Sequence, residues 1–195
     1  MHRMRILFCC NTLQGFCNFR LDVVRHLVGK GNEAIIVYPS KKGVEKALRS
    51  LPDGCKAVPC EMSPNGKSLV QDARLLFRLL HIFKKEAPDI VFNYTVKPNI
   101  YGGIAARLRN IPSVAMAPGL GYTFACDGWV GVLLRRYYTF GLSLAEKVMV
   151  LNSSDLDRLA EAGIDRKKAV LLQGGEGVDL DRYPFTEGDY NNIGC

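Results

Sequence analysis

A chain of 195 residues is long enough to bury one sizeable core, and 48% apolar content with 23% charged residues excludes an intrinsically disordered chain. A formal charge of +7 and a pI near 9.1 point to an anionic partner: a phosphorylated small molecule, an acidic membrane surface or a nucleic acid. No apolar run reaches the length of a membrane span.

Met1-His2-Arg3-Met4-Arg5 passes directly into an apolar run, so no signal peptide is expected. Cysteines at 9, 10, 17, 55, 60, 126 and 195 form no CxxC pair, which predicts reduced core thiols in a cytosolic protein and no zinc site. The first strand is expected over Arg5 to Cys10. It leads through Asn11-Thr12-Leu13-Gln14-Gly15 into a helix with Phe16, Phe19, Val23 and Leu27 at helical spacing, ending at Gly29 or Gly31. A second strand follows at Ala34 to Tyr38, then a short helix at Val44 to Leu51, a weak strand near Lys56 to Val58 and a turn at Ser63-Pro64-Asn65-Gly66. The next helix places Leu69, Ala73, Leu76, Phe77, Leu80 and Phe83 on one apolar stripe, with Arg74, Arg78, His81 and Lys85 on another face, read as solvated.

Ile90, Val91 and Phe92 form a short run without alternation, as expected of a strand covered on both faces. Asn93, Thr95, Lys97 and Asn99 then cluster before a small-residue helix from Gly102 to Leu108. That places donors and a cation at the carboxyl end of a strand, where open α/β sheets bind ligands. An ordinary connection whose polar residues cap the helix and solvate the turn has the same pattern.

Ser113 to Met116 reads as strand five, and Pro118-Gly119-Leu120-Gly121-Tyr122 as a loop whose glycines permit close backbone approach. Trp129 to Leu144 is a helix carrying Trp129, Val130, Leu133, Leu134, Tyr137 and Phe140 beside Arg135 and Arg136. Two readings fit it: a face held on an anionic bilayer, joined by Arg74, Arg78 and Lys85, or a buried helix with two snorkelling arginines. Lys147 to Leu151 is strand six, Ser153-Ser154-Asp155-Leu156-Asp157 starts a helix through capping hydroxyls and acids, and Ala169 to Leu172 is strand seven. The alternation predicts an α/β domain, a Rossmann-like doubly wound parallel sheet with right-handed crossovers.

Missing patterns narrow the chemistry. No GxGxxG follows strand one and no acid ends strand two, against a nicotinamide dehydrogenase; GxxxxGK[ST] and GxSxG are absent as well. His2, His26 and His81 fall on the terminus and on helices, so no metal cluster and no strand-end histidine base is expected.

Four stretches then carry a resemblance: Asn18-Phe19-Arg20-Leu21, Lys97-Pro98-Asn99-Ile100-Tyr101-Gly102, Gly119-Leu120-Gly121-Tyr122 and Gly175-Glu176-Gly177-Val178-Asp179-Leu180. In that order, at those strand ends, the chain resembles the N-terminal domain of a glycosyltransferase family 4 enzyme. That is the retaining GT-B class, and the similarity is to the branch that extends undecaprenyl-diphosphate-linked sugars. The resemblance implies an acceptor-side domain over residues 1–185, a truncated linker or tail at 186–195, and an absent C-terminal domain, without which this chain is expected to be inactive. It also implies transfer of a hexose or N-acetylhexosamine from a nucleotide sugar, a UDP-sugar, to a lipid-linked or polysaccharide acceptor. No cofactor, metal or nucleic acid is implied, and the location is cytoplasmic, peripheral on the inner face of the membrane through Arg135 and Arg136. Asn11, Thr12, Gly15 and Phe16 correspond to the loop facing the donor diphosphate. Thr95, Lys97, Asn99, Gly119, Gly121 and Tyr122 correspond to the acceptor side, and Gly175, Glu176 and Gly177 to the interdomain exit. Relatives carry histidine where this chain has Phe92, Tyr94 and Pro118, so no histidine role transfers and the catalytic residue stays unassigned. A non-hydrolysing sugar-nucleotide epimerase and a non-enzymatic anion-binding module are the alternatives.

Overall fold

The computed structural model describes residues 3–62, 68–121, 124, 128–175 and 177. The expected turn at Ser63-Pro64-Asn65-Gly66 lies outside them. Seven strands, β1 (Arg5–Cys9), β2 (Glu33–Pro39), β3 (Cys55–Cys60), β4 (Ile90–Tyr94), β5 (Ser113–Ala117), β6 (Lys147–Val150) and β7 (Ala169–Leu171), form one parallel sheet in the order β3-β2-β1-β4-β5-β6-β7. Phe8 of β1 pairs with Ile36 on one side and Phe92 on the other, so the chain reverses its direction of travel across the sheet between β1 and β4. That reversal is where an open α/β sheet leaves a crevice at its carboxyl edge.

Residues of the central strands alternate between two cores, as the pleat requires. Leu7, Cys9, Ile35, Val37 and Val91 face α3 (Leu69–Glu86), α4 (Gly103–Leu108), α5 (Gly128–Ser143) and α6 (Ser153–Glu161). Ile6, Phe8, Cys10 and Ile36 face α1 (Leu13–Gly29) and α2 (Glu45–Arg49). This is the predicted doubly wound α/β sheet, and α4 is entered through a π turn at Pro98–Gly102.

Several expected details change. In α1 the buried face is Leu13, Phe16, Cys17, Arg20, Leu21 and Val24, while Phe19 is 54% exposed and Val23 is also in solvent. An apolar-only stripe passes over Arg20, which occupies the inward position because its guanidinium stacks on Tyr94. In α3 the buried residues are Leu75, Leu79, Ile82, Phe83 and Glu86, whereas Leu69, Ala73 and Phe77 face solvent. Apolar residues cover so much of that helix that two registers fit the periodicity, and the sheet selects one. Glu86 can be buried there because Lys56 Nζ lies 2.6 Å from its carboxylate and Arg5 reaches it from β1. The cap of α6 is Asn152, which accepts from the Asp155 N–H at 2.8 Å, in place of the expected serine hydroxyls.

The buried reading of α5 is overturned. Its core contacts come from Gly131, Tyr138, Gly141 and Leu142, while Trp129 is 79% exposed and Val130, Leu133, Leu134, Tyr137 and Phe140 are open to solvent. A Cβ on Gly141 would stand 2.8 Å from Ile100 Cα, so α5 docks on the π turn through a backbone contact that only glycine permits.

Candidate functional site

The crevice between β1 and β4 is built first by the start of α1. Thr12 takes an extended backbone and its Oγ1 accepts the Gly15 N–H at 3.1 Å, closing the helix cap. A Cβ on Gly15 would lie 2.5 Å from that oxygen, so the cap depends on glycine. The first turn of α1 has no acid, which leaves the positive end of its dipole and its unbonded N–H groups directed at whatever fills the crevice.

The resulting cavity, about 320 Å³, brings together Asn11, Thr12, Gly15, Phe16, Arg20, Tyr94 and Thr95. Arg20 is only 9% exposed, and its guanidinium carbon lies 4.3 Å from the Tyr94 ring centroid. Tyr94 is held in turn by Phe16, edge-on at 5.7 Å, and by Phe8 at 6.4 Å. The aromatic floor therefore fixes a cation at the wall of the cavity while supplying no counter-charge of its own. Thr95 adopts φ +74°, a left-handed backbone that a β-branched residue rarely takes, and its Oγ1 is buried without a hydrogen-bond partner among the described residues. Beneath it, both amide atoms of fully buried Asn93 also lack a hydrogen-bond partner among the described residues, and a Cβ on Gly102 would meet the Asn93 Cγ at 2.8 Å. Unsatisfied buried polar groups are few in folded interiors, and these sit at one strand end.

Thr95, Lys97 and Asn99, expected together on the acceptor side, go to three places. Thr95 lines the crevice. Lys97 faces a separate cavity of about 370 Å³ on the α3 side of the sheet, with its Nζ 2.6 Å from Asp72. Asn99 is in the core, where its Nδ2 donates to the Met116 carbonyl at 2.9 Å and the Tyr138 hydroxyl at 3.0 Å. The helical turn that starts at Pro98 rotates Asn99 inward, which alternation along a loop does not reveal. Burial pushes the Tyr138 hydroxyl up to about 12, with the Asn99 bond pulling weakly the other way. Gly119 is open, with nothing within 4 Å of an added Cβ, and Gly121 has φ +48°. Gly175 and Gly177 also have positive φ, while Tyr122 and Glu176 lie outside the described residues. Arg136 is exposed on α5, and Arg135 lines a shallow cavity with Arg158 and Glu161.

Arg20 and Tyr94 are the site residues that sequence reasoning assigned no role. The available signal was positional: Leu13, Phe16, Arg20 and Val24 share one face of the helix, and an arginine at a core-facing position needs a reason. Among the described residues no group of His, Cys, Asp or Glu could hold a metal ion.

The sequence profile of Glycosyltransferase Family 4 matches residues 19–182. The chain is 27% identical over 183 residues to a GDP-mannose-dependent alpha-mannosyltransferase of Mycobacterium tuberculosis, a match over 88% of this chain and 46% of the relative. It is 28% identical over 118 residues to the Escherichia coli UDP-Gal:alpha-D-GlcNAc-diphosphoundecaprenol alpha-1,3-galactosyltransferase, a match over 60% of this chain and 30% of that protein. The chain thus spans less than half the length of these curated relatives. Among solved structures, Anabaena HepE in complex with UDP and glucose aligns over 93% of this chain and 46% of its own, with TM-score 0.67 and 16% identity. The Neisseria meningitidis UDP-GlcNAc 2-epimerase aligns over 86% and 46%, with TM-score 0.64 and 16% identity. These structural likenesses establish the shared doubly wound α/β fold.

Proposed function

The chain belongs to glycosyltransferase family 4, and on that premise we propose that it forms the acceptor-side half of an enzyme that transfers a hexose or N-acetylhexosamine from a UDP-sugar to a lipid-linked or polysaccharide acceptor, with retention of configuration. The observation that carries the reading is the crevice at the β1–β4 reversal, where the acid-free start of α1 and the Arg20 cation converge on one cavity. Sugar transfer expels a nucleoside diphosphate, and its charge is stabilised by fixed N–H groups and cations that need no reorganisation as the bond breaks. In this reading Asn11, Thr12 and the first turn of α1 face the leaving diphosphate, Arg20 adds positive potential, and Tyr94 and Thr95 form the wall against which the acceptor is set. The nucleotide itself is held by a facing domain.

The sugar-nucleotide epimerase reading is weaker. Proton abstraction from a sugar carbon calls for a carboxylate or imidazole at the cleft, and the described residues lining this one include neither.

The exposed face of α5 supports a peripheral position on the inner surface of the cytoplasmic membrane. Trp129, Leu133 and Phe140 would enter the headgroup boundary, with Arg136 beside them for anionic lipid.

The fate of a nucleotide sugar tests the proposal. The chain is mixed with a family C-terminal domain, a UDP-sugar and a polyprenyl-diphosphate-linked saccharide, and the sugar is followed by mass spectrometry. Transfer to the acceptor is the expected result. C2 epimerisation, or recovery of the intact donor with the protein bound to it, would contradict the proposal in favour of an epimerase or a binding module.

A further inference from the structure

The link between β4 and the π turn is anchored at both ends on one residue of the neighbouring strand. Tyr94, the last residue of β4, pairs with Met116 of β5, and the Asn99 carboxamide donates to the Met116 carbonyl at 2.9 Å. Only residues 95–98 lie between these anchors. A carbonyl can only accept, so the Asn99 amide is fixed with its nitrogen toward Met116, and its second proton goes to the Tyr138 hydroxyl of α5 at 3.0 Å. The backbone N–H of Asn99 then donates to the Thr95 carbonyl at 2.9 Å. From a position only 1% exposed, Asn99 therefore reaches β5, α5 and Thr95.

Thr95 absorbs the closure of this short link. A φ of +74° is costly for a β-branched residue and persists only where the surrounding structure over-determines it. Strand pairing at Tyr94 and the anchored turn at Asn99 supply that constraint from either side. The turn cannot slide, because α5 abuts Ile100 at Gly141 and the buried Asn93 carboxamide fills the space beside Gly102. In this conformation Thr95 lines the crevice while Lys97, two residues on, faces the α3 side of the sheet. Relaxation of Thr95 to negative φ would rotate its link to Tyr94 and redirect its side chain at the crevice wall.

We propose that Asn99 is a positioning residue for the acceptor: its carboxamide, joined to Met116 and Tyr138, holds Thr95 left-handed at the crevice wall without itself touching any substrate. The consequence for the acceptor rests on the transferase reading above, whereas the clamp on Thr95 does not. An amide that served packing alone would set how many molecules are folded. An amide that sets Thr95 also sets how well each folded molecule holds the acceptor.

Nuclear magnetic resonance of the 195-residue chain tests the clamp with no ligand present, since the HN–Hα coupling and Cβ shift of Thr95 report its φ. The parent should show the left-handed signature. Asn99→Ala should abolish it, and Tyr138→Phe, which keeps the ring and removes the hydroxyl, should weaken it. With a family C-terminal domain, a UDP-sugar and a polyprenyl-diphosphate-linked saccharide, Asn99→Ala should raise the acceptor KM by about five- to tenfold, the scale of one lost hydrogen bond, at nearly unchanged kcat. Fewer folded molecules would instead lower kcat at unchanged KM. Glycine takes a positive φ without strain, so Asn99→Ala should raise KM much less in a Thr95→Gly background. A Thr95 signature unchanged in Asn99→Ala, or in Tyr138→Phe where the alanine variant does not fold, would overturn the proposal, as would KM effects at 95 and 99 that simply multiply. Loss of the signature in Asn99→Ala with no transfer by the parent would support the clamp and refute the transferase reading.

Discussion

The guanidinium of Arg20 stacks on the Tyr94 ring at 4.3 Å, joining the second turn of α1 to the end of β4 across the crevice between β1 and β4. The contact places a positive charge beside the start of α1 while nearly burying it. Arg20→Met keeps most of the side-chain length and removes the charge. Loss of a cation–π contact costs about 0.5–2 kcal/mol, partly offset because no ion is then desolvated. The expected outcome is therefore a small fall in urea stability, with acceptor-dependent UDP release in the presence of a family C-terminal domain reduced by about tenfold or more. Unchanged turnover per folded molecule would assign Arg20 to packing alone.

Two glycines of α1 should respond to alanine with opposite signs. At Gly29 an added Cβ meets nothing within 4 Å, so Gly29→Ala should stabilise by about 0.5–1 kcal/mol through helix propensity. At Gly15 the same methyl collides with the capping oxygen of Thr12, and loss of the cap costs about 1 kcal/mol, cancelling or reversing the gain. Paired urea denaturation curves check this. Equal stabilisation by both substitutions would show that the cap contributes little.

Alkaline pH should destabilise the fold before it reaches the surface chemistry. Burial, and then the neighbouring Cys17 thiol, pushes Cys10 from 9.0 up to about 12, and burial pushes Tyr138 from 10.0 to about 12. The unfolded chain releases each proton first, so it binds fewer protons than the folded one and stability falls as pH rises above 9 toward 12. The urea midpoint should therefore decline across that window, and Cys10→Ala should flatten its early part. A midpoint constant to pH 11 would contradict the assignment of these groups as buried and neutral.

The face of α5 predicts salt-sensitive binding to vesicles. Exposed Trp129, Leu133 and Phe140 supply apolar area and Arg136 the charge. Co-sedimentation should favour anionic over neutral vesicles, weaken as salt shortens the screening length, and fall when Trp129 and Leu133 are replaced by serine. Binding that ignores lipid charge would contradict this.

The sheet was legible because its strands announce themselves. Leu7 to Cys9, Ile35 to Val37 and Val91 are covered on both faces and so form unbroken apolar runs between turn residues. Helix faces were harder. Phe19 and Phe77 sit at good helical spacing and are exposed, because periodicity ranks positions by apolarity whereas the sheet ranks them by fit. The same blindness hid Arg20, a charged residue at an inward position whose partner, Tyr94, is 74 residues away in sequence. The loop after β4 lies at the carboxyl edge of the sheet, as its sequence position implies, yet its polar residues divide among the crevice, a second cavity and the core. A left-handed Thr95 followed by a π turn sets that division, and neither has a residue-level signature.

In the proposed function the crevice between β1 and β4 receives the acceptor and faces the leaving diphosphate. Amide hydrogen exchange on this chain, with and without a polyprenyl-diphosphate-linked saccharide, tests it most directly. Added protection at residues 94–95, reduced in Arg20→Met, is the expected result. Protection confined to α5 or α6, or absent from the crevice at saturating acceptor, would contradict it.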